Sequence, residues 1–259
     1  KLGNECLEYG QSVYNLARIH VDMEKFDQAL NCLNEAVRVF EQFDDEDSDL
    51  LIQAIELKGD CSFEVGDFNA SAASFQGCID ALIPEDDDSG KSYDRERVAC
   101  LNCKLGHSYS KIDEYEQAFD SYSQSVKDYV ESSGADDLRV ADVMYDIGIL
   151  LVEQDKDALV SKALVCFGEV ARIYKDKGRR IHAKVADSLV QKSKILIEQS
   201  DHDEATPLLE DAMEVYRELS GSDSVEVGQV MMLRGKLHDE CENQDDAYRD
   251  FKEALRIFQ

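Results

Sequence analysis

The sequence predicts an all-α protein, a right-handed superhelical solenoid built from six helical hairpins. Apolar residues recur three and four positions apart along most of the chain, which is the period of an α-helix. A pattern of small and bulky residues also occurs six times, and polar segments rich in Asp, Ser, Gly and Lys separate its copies. A helical hairpin cannot bury its apolar face alone, so successive hairpins are expected to stack on one another.

The repeated pattern has four positions within each hairpin. A small residue is followed by a second small residue after twelve positions, a bulky residue after four more, and a fourth residue, usually small, after another three. The first positions lie 42, 47, 42, 45 and 42 residues apart, and the fourth copy has three extra residues between its halves. Small residues suit places where two helix axes cross closely, and the bulky residue fills the groove beside them. The six copies are Ala17, Ala29, Leu33, Ala36; Gly59, Ser71, Phe75, Cys78; Gly106, Ala118, Tyr122, Ser125; Gly148, Ala163, Phe167, Val170; Ser193, Ala205, Leu209, Ala212; and Gly235, Ala247, Phe251, Ala254.

The breaks in the apolar pattern give the expected boundaries of the six units within one repeat domain, residues 1–259. The breaks read "FDDEDSD", "PEDDDSGKS", "SSGADD", "KDKGRR" and "SGSDS". The chain starts without Met and stops inside an apolar pattern, so we expect it to be an excerpt of a longer protein. The units cover about residues 4–43, 47–83, 92–132, 137–176, 180–219 and 223–259.

Several short segments resemble the tetratricopeptide repeat, in the version of about 42 residues found in kinesin light chains. They are "YNLARIH" at 14–20 and the unit ends "AVRVFEQ", "VARIYKDKG", "AMEVYREL" and "ALRIFQ". The family's His-Pro after the linker is absent, and its asparagine before the Leu-Ala pair occurs only as Asn15. The resemblance implies a concave groove lined by the first helix of each hairpin, in which such asparagines hold the backbone of a bound peptide.

Projecting the helical period from the first small residue of each unit gives the candidate groove residues. Acids outnumber bases along the whole predicted groove, which has a basic spot in its third hairpin and whose further acidic positions are Asp22, Glu64, Asp142, Glu153, Asp187, Glu198, Asp239 and Glu240. We therefore predict a basic or mixed-charge protein segment as the partner; for any individual charge the alternative is a solvated surface. The candidates are Tyr14, Asn15, Arg18, Glu56, Asp60, Lys104, His107, Lys111, Tyr145, Asp146, Gln191, Lys194, Met232 and Lys236.

The overall charge excludes some partner classes. The chain carries 28 basic and 56 acidic side chains, a net charge of -28, which would repel nucleic acid. Residues 1–137 hold 11 basic and 31 acidic side chains and residues 138–259 hold 17 and 25, so a basic partner should favour the first half. No stretch resembles a membrane span or a signal peptide, and the eight cysteines show no regular spacing. We expect a cytoplasmic protein in a reducing compartment, with no membrane partner.

Two motifs suggest ligand chemistry but have stronger structural interpretations. Gly90-Lys91-Ser92 resembles the end of a phosphate-binding loop, but the leading glycine would fall at Glu85 and no strand precedes it. A run of acids has the spacing of calcium ligands, but the position that needs glycine is Leu50. These acids also favour the positive end of the helix that follows them. They are Asp45, Asp47, Asp49 and Glu56.

Cys100, Cys103 and His107 form one stripe of a helix. They could share a zinc ion, but structural zinc normally draws on two separate elements. Partly buried, inert side chains are the favoured interpretation, and a reactive thiol near Lys104 is the third alternative. Because the sequence contains no catalytic motif, we predict no cofactor and no enzymatic activity.

The sequence therefore favours a non-catalytic scaffold for protein–protein interaction. The alternatives are a substrate-recruiting domain of an enzyme whose catalytic part lies outside this chain, and a structural subunit of a large assembly. Arg179 and Arg180, in the basic segment "KDKGRRIHAK", form either a docking site for an acidic segment or a solvated loop beside the negative end of a helix. Self-association through the uncapped C-terminal end is a further expectation.

Overall fold

A computed structural model describes residues 6–43, 48–83, 93–154 and 156–259. Twelve α-helices and one short 3-10 turn make up the secondary structure of these ranges, which contain no strand, so the all-α prediction is confirmed. The helices are α1 (Leu7–Asp22), α2 (Phe26–Phe40), α3 (Ser48–Glu64), α4 (Phe68–Leu82), α5 (Arg95–Ser110), α6 (Tyr115–Ser133), α7 (Leu138–Glu153), α8 (Asp157–Asp176), α9 (Ala183–Glu198), α10 (His202–Ser220), α11 (Val225–Glu240) and α12 (Gln244–Ile257).

The helices pair in chain order as six antiparallel hairpins, and the chain divides into two compact units, Lys1–Ser132 and Ser133–Gln259. In the first unit, α1 to α5 each pack on the next helix, and Ser125 on α6 donates a hydrogen bond of 2.7 Å to the carbonyl of Ala99 on α5. In the second unit, α7 to α12 pack in the same consecutive way, and α9 also contacts α7 and α11. Helices α7, α9 and α11, each the first helix of its hairpin, therefore form a layer of their own. A single domain over residues 1–259 stays a prediction.

The repeated small and bulky residues meet where the two helices of a hairpin cross. A Cβ atom built on Gly59, Gly106 or Gly148 would lie only 2.6 to 2.7 Å from a ring atom of the aromatic residue that follows in the pattern. Those aromatic residues are Phe75, Tyr122 and Phe167. The ring occupies the space that a side chain would need, which explains why the first position is small.

Acidic residues directly before α5 and α7 cap these helices. Asp94 and Asp137 accept hydrogen bonds from backbone N–H groups in the first turns of α5 and α7, at 3.1 and 2.8 Å. Arg139 also holds the pKa of Asp137 below its usual value, through a side-chain hydrogen bond. Each cap satisfies a backbone donor that the helix itself leaves unpaired, so the polar breaks help to place the helix starts.

The turns inside the hairpins share a feature that the sequence pattern did not reveal. In five hairpins, the residue seven positions after the first small residue has a positive φ, between 57° and 84°. Only one of the five is glycine, although this backbone region strongly favours it. The five residues are Glu24, Gly66, Asp113, Ser200 and Glu242.

Apolar side chains at the end of α12 and directly after it are exposed to solvent. Leu255 and Phe258 are 57% and 46% exposed, whereas their equivalents on α10, Met213 and Tyr216, are 2% and 7% exposed. Helix α11 packs against α10. The expected self-association through α12 stays a prediction.

Candidate functional site

None of the fourteen predicted groove residues is buried. The face of α1 presents Tyr14, Asn15 and Arg18. The first helices of the later hairpins present the others at half-exposed or exposed positions, except Lys111, which directly follows α5. The structure brings some of them into direct contact in the first unit and leaves others apart.

In the first unit, α3 and α5 face each other through a network of charged side chains. Lys104 Nζ lies 3.0 Å from Glu56 Oε1 and 2.9 Å from Asp60 Oδ1. Arg97 bonds Asp49 at 2.7 Å and lies 3.6 Å from Glu56. The network holds three carboxylates and two cations, so it keeps a net negative charge.

Burial and pairing act in opposite directions on the pKa values of this network. Burial raises the pKa of Asp60 above its usual range, and Lys104 only partly opposes that effect. Burial alone would lower the pKa of Lys104, but Asp60 and Glu56 outweigh it and raise the pKa, so the ammonium stays charged. A hydrogen bond from Arg97 lowers the pKa of Asp49. Lys104 is thus held as a cation by carboxylates of its own chain.

This pairing neutralises part of the basic spot that was expected in the third hairpin. Lys104 is neutralised by Glu56 and Asp60, and His107 packs edge-on against the ring of Tyr122 with centroids 5.5 Å apart. Lys111 is exposed just beyond the end of α5. The face that α3 and α5 form in the first compact unit therefore offers more negative than positive charge to a partner.

A cavity of about 200 Å³ opens beside Lys104 in the first unit. It lies at the end of α3, with α4 contributing one ring and the last turns of α5 closing the other side. Lys104 Nζ also lies 5.5 Å from the centroid of the Phe75 ring. The cavity is lined by Asp60, Phe63, Glu64, Phe75, Lys104 and His107.

In the second unit, the first-helix face is built around Tyr145. Lys184 Nζ lies 4.4 Å from the centroid of the Tyr145 ring, a distance at which a cation is attracted to the ring face. The same ring packs edge-on against Phe167, 5.7 Å away. Burial and the nearby Asp187 raise the pKa of Tyr145, and a side-chain hydrogen bond from Gln191 opposes them. Tyr145 and Gln191 are thus brought together, as two of the predicted groove residues.

Two acids of this face are tied to the second helices of their hairpins. The Tyr174 hydroxyl donates a hydrogen bond of 2.7 Å to Asp142, and the Tyr216 hydroxyl bonds Asp187. Burial, followed by these carboxylates, raises the pKa of both phenols. Each tyrosine lies eleven positions after the second small residue of its hairpin. The other hairpins have Phe40, Leu82, Tyr129 and Phe258 at this position. This position was not among the predicted ones, although five of the six hairpins have an aromatic residue there.

Other predicted groove residues take no part in these clusters. Lys194, Met232 and Lys236 are exposed on α9 and α11. Arg180, of the proposed basic docking site, pairs with Glu214 on α10 at 2.8 Å, while Arg179 is exposed. The site was predicted to act through both arginines, and one of them already has an acidic partner in its own unit.

The structure shows where the described residues of the three possible ligand-binding motifs lie. Gly90-Lys91-Ser92 lies outside the described residues, as do Asp45 and Asp47 of the calcium-like run. Asp49 and Glu56, the other two acids of that run, are occupied by Arg97. Cys103 and His107 offer ligand atoms within 4.8 Å of one another, but Cys100 does not join them.

All eight cysteines lie within the described ranges, none of them forms a disulfide, and their burial differs. Burial raises the pKa of Cys61 to about 11 and that of Cys78 to about 12, which suppresses the reactive thiolate. Cys241 is exposed, and its Sγ lies 3.3 Å from Nδ1 of His202, whose Nε2 lies 3.0 Å from Glu240. An imidazole held between a thiol and a carboxylate can accept the thiol proton.

We expect Cys241 to react with iodoacetamide well before Cys61 and Cys78 at neutral pH. Mass spectrometry of timed digests of the native protein measures the order of labelling. His202→Gln should slow the labelling of Cys241 without changing that of Cys78. Labelling of Cys78 ahead of Cys241 would contradict both the burial and the geometry.

No described helix is both long enough and apolar enough to cross a lipid bilayer.

The comparisons with known proteins agree with the fold. The tetratricopeptide repeat family matches residues 184–259 and, separately, residues 10–43. No curated protein matches the chain in sequence.

Three solved structures illustrate the likeness in fold. BtubC (BKLC) from P. vanneervenii is 15% identical with a TM-score of 0.73, over 90% of this chain and 90% of that one. Kinesin light chain-like repeats from Podosopora anserina are 13% identical with a TM-score of 0.65, over 83% of this chain and 99% of that one. The apo form of RapI is 12% identical with a TM-score of 0.62, over 97% of this chain and 83% of that one. The chain is therefore similar to tetratricopeptide repeats at residues 10–43 and 184–259, and its fold resembles that of kinesin light chain-like repeats.

Proposed function

We propose that this chain is a non-catalytic scaffold whose first-helix faces bind a protein segment of basic or mixed charge. The observation that carries the proposal is the network on α3 and α5. Its cations, Arg97 and Lys104, are paired with carboxylates of the same chain, so the face presents its surplus negative charge to a partner. Opposite charge on the partner would speed encounter and set the binding orientation.

The two units offer different chemistry to such a segment. The α3 and α5 face combines an acidic surplus with a cavity, whereas the face around Tyr145 combines an aromatic ring with the cation of Lys184. A basic stretch would suit the first face, and a mixed stretch would suit the second. Helix α1 adds Asn15, an exposed amide that can donate and accept hydrogen bonds with the backbone of an extended peptide.

Selection of random twelve-residue peptides on the immobilised chain tests the proposal. We expect the selected peptides to be net positive and their affinity to fall as the salt concentration rises from 50 to 300 mM, because exposed charges are screened. Asn15→Ala should weaken binding by about three- to tenfold, which is the size of one hydrogen bond. Asn34→Ala removes a similarly exposed amide from α2 of the same hairpin and should leave binding unchanged.

The results also separate the two alternatives. Acidic selected peptides, or equal effects of Asn15→Ala and Asn34→Ala, would refute the proposed groove. No enrichment at all, together with purification of the native protein only within a stable complex, would favour a structural subunit. Selected peptides that match the modification sites of one enzyme class would favour a substrate-recruiting domain.

A further inference from the structure

We propose that the cavity beside Lys104 receives the long cationic side chain, arginine or lysine, of the bound segment. The proposal rests on the proposed function, since it places one side chain of that segment. The cavity lies within the first unit, between α3, α4 and α5, and is lined by two carboxylates, two phenyl rings, a histidine and Lys104.

The size of the cavity suits one long side chain. Its volume is about 200 Å³. Since a water molecule in the liquid occupies roughly 30 Å³, the cavity has room for about six waters, and a long side chain can replace them. The buried Phe75 ring lies on one wall, and the exposed Glu64 lies at the end of α3.

The charge around the cavity favours a cation in spite of Lys104. The Lys104 ammonium already bonds Glu56 and Asp60, so these three groups together carry one negative charge. Glu64 adds a second negative charge at the last residue of α3. The C-terminal end of α3 contributes its partial negative charge as well, and His107 places the cavity at the last turn of α5, where a second helix ends. The carboxylates and the helix ends therefore outweigh the one resident cation.

The aromatic rings provide a surface for the stem and head of the incoming side chain. Lys104 Nζ lies 5.5 Å from the centroid of Phe75, so this wall already holds a cation beside a ring. Phe63 is fixed by an edge-on contact with Phe68, with centroids 5.1 Å apart. A long basic side chain can pack its methylene groups on such rings while its charged head reaches a carboxylate. A guanidinium can in addition stack flat on a ring and bond Glu64 with two donors.

Two labelled peptides of nine residues test the cavity with the full 259-residue chain. Both have the same Gly-Ser frame with three equally spaced residues, which are arginine in one peptide and citrulline in the other. Citrulline keeps the shape of arginine and removes its charge. Fluorescence anisotropy should show the arginine peptide binding at least tenfold more tightly than the citrulline peptide.

Variants then distinguish the cavity from the general acidity of the chain. Glu64→Gln should weaken the arginine peptide by about three- to tenfold, and Asp60→Asn by at least as much, because it also leaves Lys104 with one carboxylate fewer. Glu116→Gln removes an exposed glutamate on α6 outside the cavity and should weaken binding less than twofold.

Each outcome bears on one proposal or on both. Equal effects of Glu64→Gln and Glu116→Gln would overturn the cavity and leave the acidic face intact. Equal affinity of the two peptides would show an uncharged occupant and overturn the cavity proposal. If neither peptide binds while basic peptides are selected from the random library, the cavity proposal alone fails; if the library also yields none, both proposals fail.

Discussion

Gly148→Ala should destabilise the second unit, although alanine is the better helix former. A Cβ atom at this position would lie 2.7 and 2.8 Å from Cε1 and Cζ of Phe167, a ring that is 1% exposed. Overpacking of this kind costs about 1 to 3 kcal/mol, and the gain in helix propensity returns about 1 kcal/mol. We expect a net loss of up to about 2 kcal/mol in the free energy of unfolding, measured by urea denaturation with circular dichroism.

Gly168 provides a matched control in the same hairpin. It lies inside α8, and a Cβ atom there would meet nothing within 4 Å. Gly168→Ala should therefore stabilise the protein by about 0.5 to 1 kcal/mol through propensity alone. The two substitutions are chemically identical, so opposite signs can come only from the ring of Phe167. Two variants with the same sign would contradict the interpretation of the repeated small residues as helix-crossing positions.

Arg234→Ala should be among the most destabilising single changes in the second unit. The guanidinium bonds both oxygens of Asp250, at 2.8 and 2.6 Å, and Asp250 is only 7% exposed. Removing the arginine leaves a buried carboxylate with His238 at 3.7 Å as the remaining ion-pair partner. Loss of one member of a buried pair costs about 3 to 5 kcal/mol, and since Arg234 is 22% exposed, we expect about 2 to 3 kcal/mol.

The double variant Arg234→Met, Asp250→Leu tests the cause of that loss. Because it removes the buried charge together with its partner, it should be more stable than Arg234→Ala. Arg180→Ala breaks an ion pair that is more than half exposed on both sides and should change stability by about 1 kcal/mol or less. A double variant as unstable as Arg234→Ala would show that the unpaired charge of Asp250 is not the cause of the loss.

The repeat architecture follows from the sequence because its cause is local. Helical period and the size of a side chain at a crossing act within one hairpin, so four positions per unit were enough to predict six hairpins. Gly106 and Tyr122 show why, since the ring fills the space that a Cβ atom would take. Helix capping has a cause of the same local kind, since Asp94 and Asp137 bond the first turns of the helices that directly follow them.

The chemistry of the candidate site depends on contacts between residues that are far apart in sequence. The sequence predicted Lys104 as part of a basic spot. Its bonds to Glu56 and Asp60, however, join residues that are 48 and 44 positions apart. The helical period within one hairpin places each side chain on one face of its helix. It does not show which side chain of another helix will be its partner. The sequence by itself determined the hairpins, their small crossing residues and the acidic character of the chain. Only the tertiary structure decided which charges neutralise one another and where a cavity remains, because ion pairing requires atoms to approach within about 4 Å and such approach is settled by packing.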